Sequence, residues 1–241
     1  WKTIDASPNA GTFSGTLTNI IAGGWYQLEV RPVVSGVAGD SAVIQKVGIG
    51  DIYVTAGQSN SANHGTPALT PTSDRVVTLS AYGGASWRHG YDPQPLATGT
   101  GGSVWSRLGD LLVSTENVPV GFVVVGVGGS PLSSWQPGQG NYTSRLKEAV
   151  QSFPANGFRA CLWHQGETDA VNNVTATAHA ALLATMIAES RTDAGWTIPW
   201  YIAEASFIPS ITLTQEEPVT AGQRLATMSD ANVHLGPSTN E

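Results

Sequence analysis

From Asp51 onward, short apolar runs alternate with segments of helical period, and that alternation leaves few folds open. Pro119 to Val127 is a continuous apolar run, as a strand buried on both faces of a parallel sheet requires. Ile52, Val54 and Ala56 alternate in a second run; Arg75–Ser80, Phe158–Trp163, Ile198–Ala205 and Val233–Leu235 complete the strand set. Between them, Val104, Leu108, Leu111 and Leu112 fall at i, i+4, i+7 and i+8, one face of a helix. Leu146, Ala149, Val150 and Phe153 mark another, ended by Pro154 and Gly157. Residues 174–191 form a long Ala-rich helix with Leu182, Leu183, Met186 and Ile187 together. Pro218 suits the first turn of a last helix, which carries Leu225 and Met228. The pattern predicts a three-layer αβα fold: a doubly wound, mostly parallel, flavodoxin-like sheet.

The residues before this unit read as all-β. Trp25–Val30 alternates, and Ser41–Ile44 follows a Gly-rich turn. Two or three strands cannot close a sandwich alone. Residues 1–46 therefore form a short N-terminal β segment that leans on the 47–241 domain or continues a sandwich begun upstream.

With 241 residues, 41% of them hydrophobic, the chain can bury a core in one main domain. Only 12% are charged, about half the usual fraction. Gly, Ser and Thr fill the gap, a surface common in secreted or periplasmic proteins and in phage virion tails. A net charge of -7 without a Lys/Arg cluster argues against a nucleic-acid partner. Cys161 is the single cysteine, which excludes an intrachain disulfide and a cysteine-rich metal site. No run of about 18 apolar residues offers a membrane span. Trp1 is not a natural start, so trimmed ends are expected. Asn141-Tyr142-Thr143 and Asn173-Val174-Thr175 match the glycosylation acceptor pattern.

The chemistry gathers in three short blocks. The first strand stops at Gly57, which permits a sharp corner, and Gln58-Ser59-Asn60 follow at the carboxyl rim where open α/β sheets bind ligands. Ser59 is either a nucleophile or a turn serine capping the next helix. It does not sit in a Gly-x-Ser-x-Gly elbow, because position 61 is Ser. Gly128-Gly129-Ser130 follow the Pro119–Val127 run; a glycine there either aims its N–H at a reacting oxygen or makes an ordinary turn. His164-Gln165-Gly166-Glu167-Thr168-Asp169 follow the Phe158–Trp163 run, and the Gln165 amide can donate twice without adding charge. Glu167 and Asp169, two apart on a turn, are ill-placed for a glycosidase pair. The long loops 61–73 and 82–103 carry His64, Trp87, Arg88, His89 and Tyr91, an aromatic and polar mix that suits a sugar-binding cleft.

Taken in order, the three blocks resemble those of the SGNH hydrolases, more narrowly the sialate O-acetylesterase and acetylxylan-esterase-like branch, over residues 47–240. The resemblance implies a serine esterase that removes O-acetyl groups from a carbohydrate, with an acetylated glycan as partner and no metal or cofactor. It casts Ser59 as nucleophile, and Ser59 N–H, Gly129 N–H and Gln165 as oxyanion donors. Gln58, Asn60, His164, Glu167, Asp169, Trp87 and His89 become supporting or substrate-contacting residues. The family's Asp-x-x-His is missing: Asp230 and His234 are separated by three residues. His234 is thus a weak candidate base, and the expectation is that the base lies beyond Glu241. A non-catalytic carbohydrate-binding or virion-adhesion domain on the same fold is the rival. A lipase or thioesterase would want an apolar acyl tunnel, which these loops look too polar to form.

Overall fold

The computed structural model describes residues 1–9, 11–83 and 86–239. The N-terminal part holds β1 (Trp25–Val30), β2 (Val33–Val34), β3 (Val37–Ala38) and β4 (Ala42–Gly48). β2 and β3 close a hairpin on Ser35 and Gly36, both at positive φ, the turn geometry that matches strand twist. β1 and β4 pair antiparallel as a separate two-stranded ribbon. Ile21, Val33, Val34, Val37 and Ile44 stay exposed, so the segment has no core of its own. It is tied to the following unit at Asp74, whose carboxylate accepts from Trp25 Nε1 (3.0 Å) and Lys46 Nζ (2.9 Å).

The main unit then unfolds in chain order: β5 (Asp51–Gly57), β6 (Val76–Leu79), β7 (Trp87–His89), α1 (Trp105–Glu116), β8 (Val120–Val124), α2 (Lys147–Gln151), β9 (Ala160–His164), α3 (Glu167–Val171), α4 (Ala176–Ala194), β10 (Trp200–Glu204), α5 (Leu213–Met228) and β11 (Val233–Ser238). The seven strands stand in the order β11-β10-β9-β5-β8-β6-β7. Every neighbouring pair is parallel except β6 and β7. Strands after β5 are first added on one side, through β6 and β8, and then on the other, from β9 to β11. The order therefore reverses around β5, the switch point at which such sheets bind ligands.

One helical layer is full. α2, α4 and α5 pack together over Val54, Val123, Cys161, Trp163, Trp200 and Ile202. The other layer is α1 alone, seated on Val76, Val120, Phe122 and Tyr53. The expected three layers are present, but among the described residues no helix covers the second face over β10 and β11, and Tyr201 is 43% exposed there.

Several elements differ from the sequence expectation. Residues 87–89 form an edge strand inside the expected 82–103 loop. The helix near Pro218 begins five residues earlier, at Leu213. There the Gln215 side chain accepts from Thr212 N–H (3.3 Å), so capping chemistry rather than proline sets the start. α3 was not anticipated, because a five-residue helix is too short to show a period.

Candidate active site

The corner after β5 is built on one glycine. Gly57 has φ +135°, and a Cβ there would overlap the His164 carbonyl oxygen on neighbouring β9. That close approach lets Gln58 N–H donate to His164 O (3.0 Å) and sends the chain into the short 3-10 turn Ser59–Ser61. Trp105 at the start of α1 holds the turn from below, its Nε1 donating to Ser61 O (3.0 Å).

The three blocks meet here pairwise. Val127 N–H donates to Gly57 O (2.9 Å), joining the first and second. Asn60 Nδ2 donates to Glu167 Oε1 (2.7 Å), and Thr168 N–H to Gln58 Oε1 (3.1 Å), joining the first and third. Gln165 Nε2 reaches Ser130 O (3.4 Å), and Leu132 N–H donates to the Asp169 carboxylate (3.2 Å), joining the second and third. Gln165, Glu167 and Asp169 are all buried. Glu167 and Asp169 thus have different neighbours: Glu167 holds the serine turn, Asp169 the loop after Gly129.

Two of the three expected donors are unengaged. Among the described residues, neither Ser59 N–H nor Gly129 N–H is engaged in a hydrogen bond. Gly129 has φ +68° with empty space on its side-chain side. Gln165 Oε1 is buried without a partner, while its Nε2 points at the Ser130 backbone. Ser59 is half-buried and Gly129 exposed, so both backbone N–H groups are within reach of an incoming oxygen, while Gln165 is wholly buried behind them.

The histidines are distributed unevenly. His164 faces the corner across the Gly57 rung, its Nε2 2.9 Å from Thr239 Oγ1 and its Nδ1 3.9 Å from Glu167 Oε1. Burial lowers its pKa, against an upward pull from the Glu167 charge. His64, which sequence reading left among general loop residues, lies over the second block: a Cβ at Gly128 would come 2.5 Å from its Nε2. Thr98 links them, accepting from Gly128 N–H (2.8 Å) and lying 3.4 Å from His64 Nε2. No periodicity marks a loop threonine for this part, so only the folded loops reveal it. Among the described residues no hydrogen bond holds the Ser59 hydroxyl.

Three expected site residues are not brought to the corner. His234 sits on β11, three strands from β5, which is about 14 Å at ordinary strand spacing. Its ring packs at a tilt against Tyr201 instead (centroids 4.9 Å). Trp87 and His89 lie on β7, at the opposite edge of the sheet. His89 is level with Ile52, near the start of β5, and bonds Ser73 O (3.0 Å). Trp87 packs against Phe153. In place of the expected loop, pairing with β6 makes these aromatics an edge of the core.

Beside the corner opens a groove of about 730 Å³, bounded by Asn60, Trp105, Leu162, His164, Tyr201 and Thr239. Its lining is mostly carbon, unlike the polar cleft the loop composition suggested. The groove occupies the face that α1 leaves uncovered. Among the described residues no cluster of His, Cys, Asp and Glu could hold a metal ion, and no helix is long and apolar enough to cross a membrane.

Comparison with known proteins agrees with this architecture. A family model described as "SASA: Carbohydrate esterase, sialic acid-specific acetylesterase" matches residues 49–235. A protein of Arabidopsis thaliana named "Probable carbohydrate esterase At4g34215" is 25% identical over 146 residues, 50% of this chain and 55% of that protein. The chain thus spans about half the length of that relative. The X-ray structure of the Arabidopsis thaliana protein superposes with a TM-score of 0.62 at 18% identity, over 78% of this chain and 84% of that one. XAC1771, a carbohydrate acetylesterase from Xanthomonas citri, superposes with a TM-score of 0.61 at 19% identity, over 90% of this chain and 55% of that one. At such identities the superpositions speak to the fold.

Proposed function

The chain belongs to the carbohydrate esterase family of sialic acid-specific acetylesterases, and on that premise we propose that it is a serine esterase that removes O-acetyl groups from a glycan. The observation that carries the reading is the corner itself. Ser59, two unengaged backbone N–H groups and the Gln165 amide come from three segments far apart in the chain, and hydrogen bonds bind those segments to one another.

In this reading the Ser59 hydroxyl attacks the acetyl carbonyl. As the carbonyl oxygen takes up negative charge, it settles among Ser59 N–H, Gly129 N–H and the Gln165 amide. A histidine accepts the serine proton and passes it to the departing sugar oxygen; water then releases acetate and restores Ser59. The sugar enters from the groove side, where Asn60 and His164 border the open face. Ser59→Ala should abolish acetate release from an acetylated polysaccharide, a fall of about 10⁴-fold or more. Undiminished release would remove Ser59 from the chemistry.

One observation favours a second reading, a non-catalytic glycan-binding domain on the same fold: the Ser59 hydroxyl touches no base. A fluorophosphonate probe separates the two. An activated Ser59 is labelled and Ser59→Ala is not; an intact protein that resists labelling but retains glycan affinity is a binding domain.

A further inference from the structure

We propose that Asp169, braced by His179, is the positioning residue that sets the height of the oxyanion loop. The proposal rests on the esterase reading for its kinetic consequence, but not for its structural one. Asp169 stands at the end of the His-Gln-Gly-Glu-Thr-Asp block, on α3, and is 2% exposed. Both of its carboxylate oxygens face Leu132 N–H, at 3.2 and 3.3 Å. Leu132 is the third residue after Gly129 and begins the short 3-10 turn Leu132–Trp135. The carboxylate is therefore the anchor at the far end of the Gly129–Ser130 loop; Gln165, on the same block, meets its near end at Ser130 O.

His179 completes the strut. Its ring is fully buried on α4, with Nδ1 3.2 Å from Asp169 Oδ2. It has little room to move, because α5 passes against it at Gly222, where a Cβ would come 2.8 Å from His179 Cβ. A buried carboxylate needs hydrogen bonds to be tolerated. Here the loop amide supplies the bond, and the buried His179 ring backs the carboxylate by close packing, its two nitrogens making no hydrogen bond among the described residues. The Leu132 amide is thus held from two helices at once. A loop carrying an oxyanion donor must be placed within about 1 Å, since a displacement of that size can cost about 10²-fold in rate.

The test has two arms. In Asp169→Ala, amide hydrogen exchange at Ser130 and Leu132, the hydrogen-bonded amides of the loop, should speed up about tenfold or more, with the β8 amides unchanged. Turnover of an acetyl ester should fall about 10²-fold in kcat with KM within about twofold. Asp169→Asn, which keeps an acceptor oxygen toward Leu132, should restore slow exchange and most of kcat. If the alanine protein does not fold, His179→Gln removes the brace alone and should show the same local pattern at smaller amplitude. Exchange at Ser130 and Leu132 that stays at the wild-type rate overturns the strut, and so does exchange that rises only together with β8. A wild-type protein without esterase turnover would defeat the reading of the site, and the exchange arm would still decide the strut.

Discussion

The two faces of the sheet are built to different standards. On the face under α2, α4 and α5, Trp135, Trp163 and Trp200 are fully buried and in contact, Trp135 edge-to-face on Trp163 at 5.4 Å and Trp163 tilted against Trp200 at 6.3 Å. On the other face α1 covers β6 and β8 with Trp105 and Phe122 (5.9 Å), and β10 and β11 are left open. The dry face holds the strands in place, and the half-open face carries the groove beside the Ser59 turn. Stability and access are thus divided between two sides of the same strands, alternating residue by residue. Substituting Trp200, which has no exposed surface, by Ala should therefore have the largest effect: a loss of about 3–5 kcal/mol in urea denaturation. A loss below about 1 kcal/mol would mean that this face is not the structural one.

The second test moves to the rim. Gly57→Ala must force a Cβ into the His164 carbonyl oxygen at φ +135°. Strain of this kind costs about 1–3 kcal/mol, and here the corner can relieve it only by parting β5 from β9. The expected outcome is a destabilised protein in which fluorophosphonate labelling of Ser59 falls by more than the loss of folded protein explains. Equal falls would show that the corner tolerates displacement.

How much of this could be read from the chain depends on the kind of signal. The buried strands announced themselves, since a run such as Val120–Val124 can be buried on both faces and still satisfy every backbone group in a parallel ladder. The doubly wound order followed from alternation. The three blocks were legible because glycine and short polar residues end strands β5, β8 and β9 at one rim of the sheet. The open second face was not legible, since apolar alternation on β10 does not tell which of its faces the described helices cover. Nor was the fate of Trp87 and His89, where three residues pair with β6 and a loop becomes an edge. The separate duties of Glu167 and Asp169 were hidden for a similar reason. Their spacing is two, but the turn into α3 sends one toward Asn60 and the other toward Leu132.

A smaller effect is expected from pH, and it reports on the half-open face. Burial lowers the His164 pKa below its ordinary value near 6.5, so the folded protein prefers the neutral ring. The unfolded chain then binds the extra proton first. Stability contributed by this group is full above about 6.5 and declines as pH falls toward the folded value. Denaturation midpoints measured across that range should drop on acidification in the wild type and drop less in His164→Gln. A wild-type midpoint that rises on acidification would reverse the assignment and mean that the Glu167 charge outweighs burial.

The smallest effect should come from the residue next to Trp200. Tyr201 shares β10 with it, but its side chain lies on the opposite face, 43% exposed, against the His234 ring and along the groove. Removing a side chain that is already half in water forfeits little burial and leaves no enclosed cavity, because solvent fills the space. Tyr201→Ala should lose less than about 1 kcal/mol by the same urea measurement. If the groove admits the glycan, KM for an acetylated polysaccharide should rise while KM for a small acetyl ester stays put. Stability is the decisive readout, because two adjacent residues of one strand are being asked opposite questions. Should Tyr201→Ala cost as much as Trp200→Ala, the second face would be as structural as the first, and the division of the sheet into a holding side and an access side would fail.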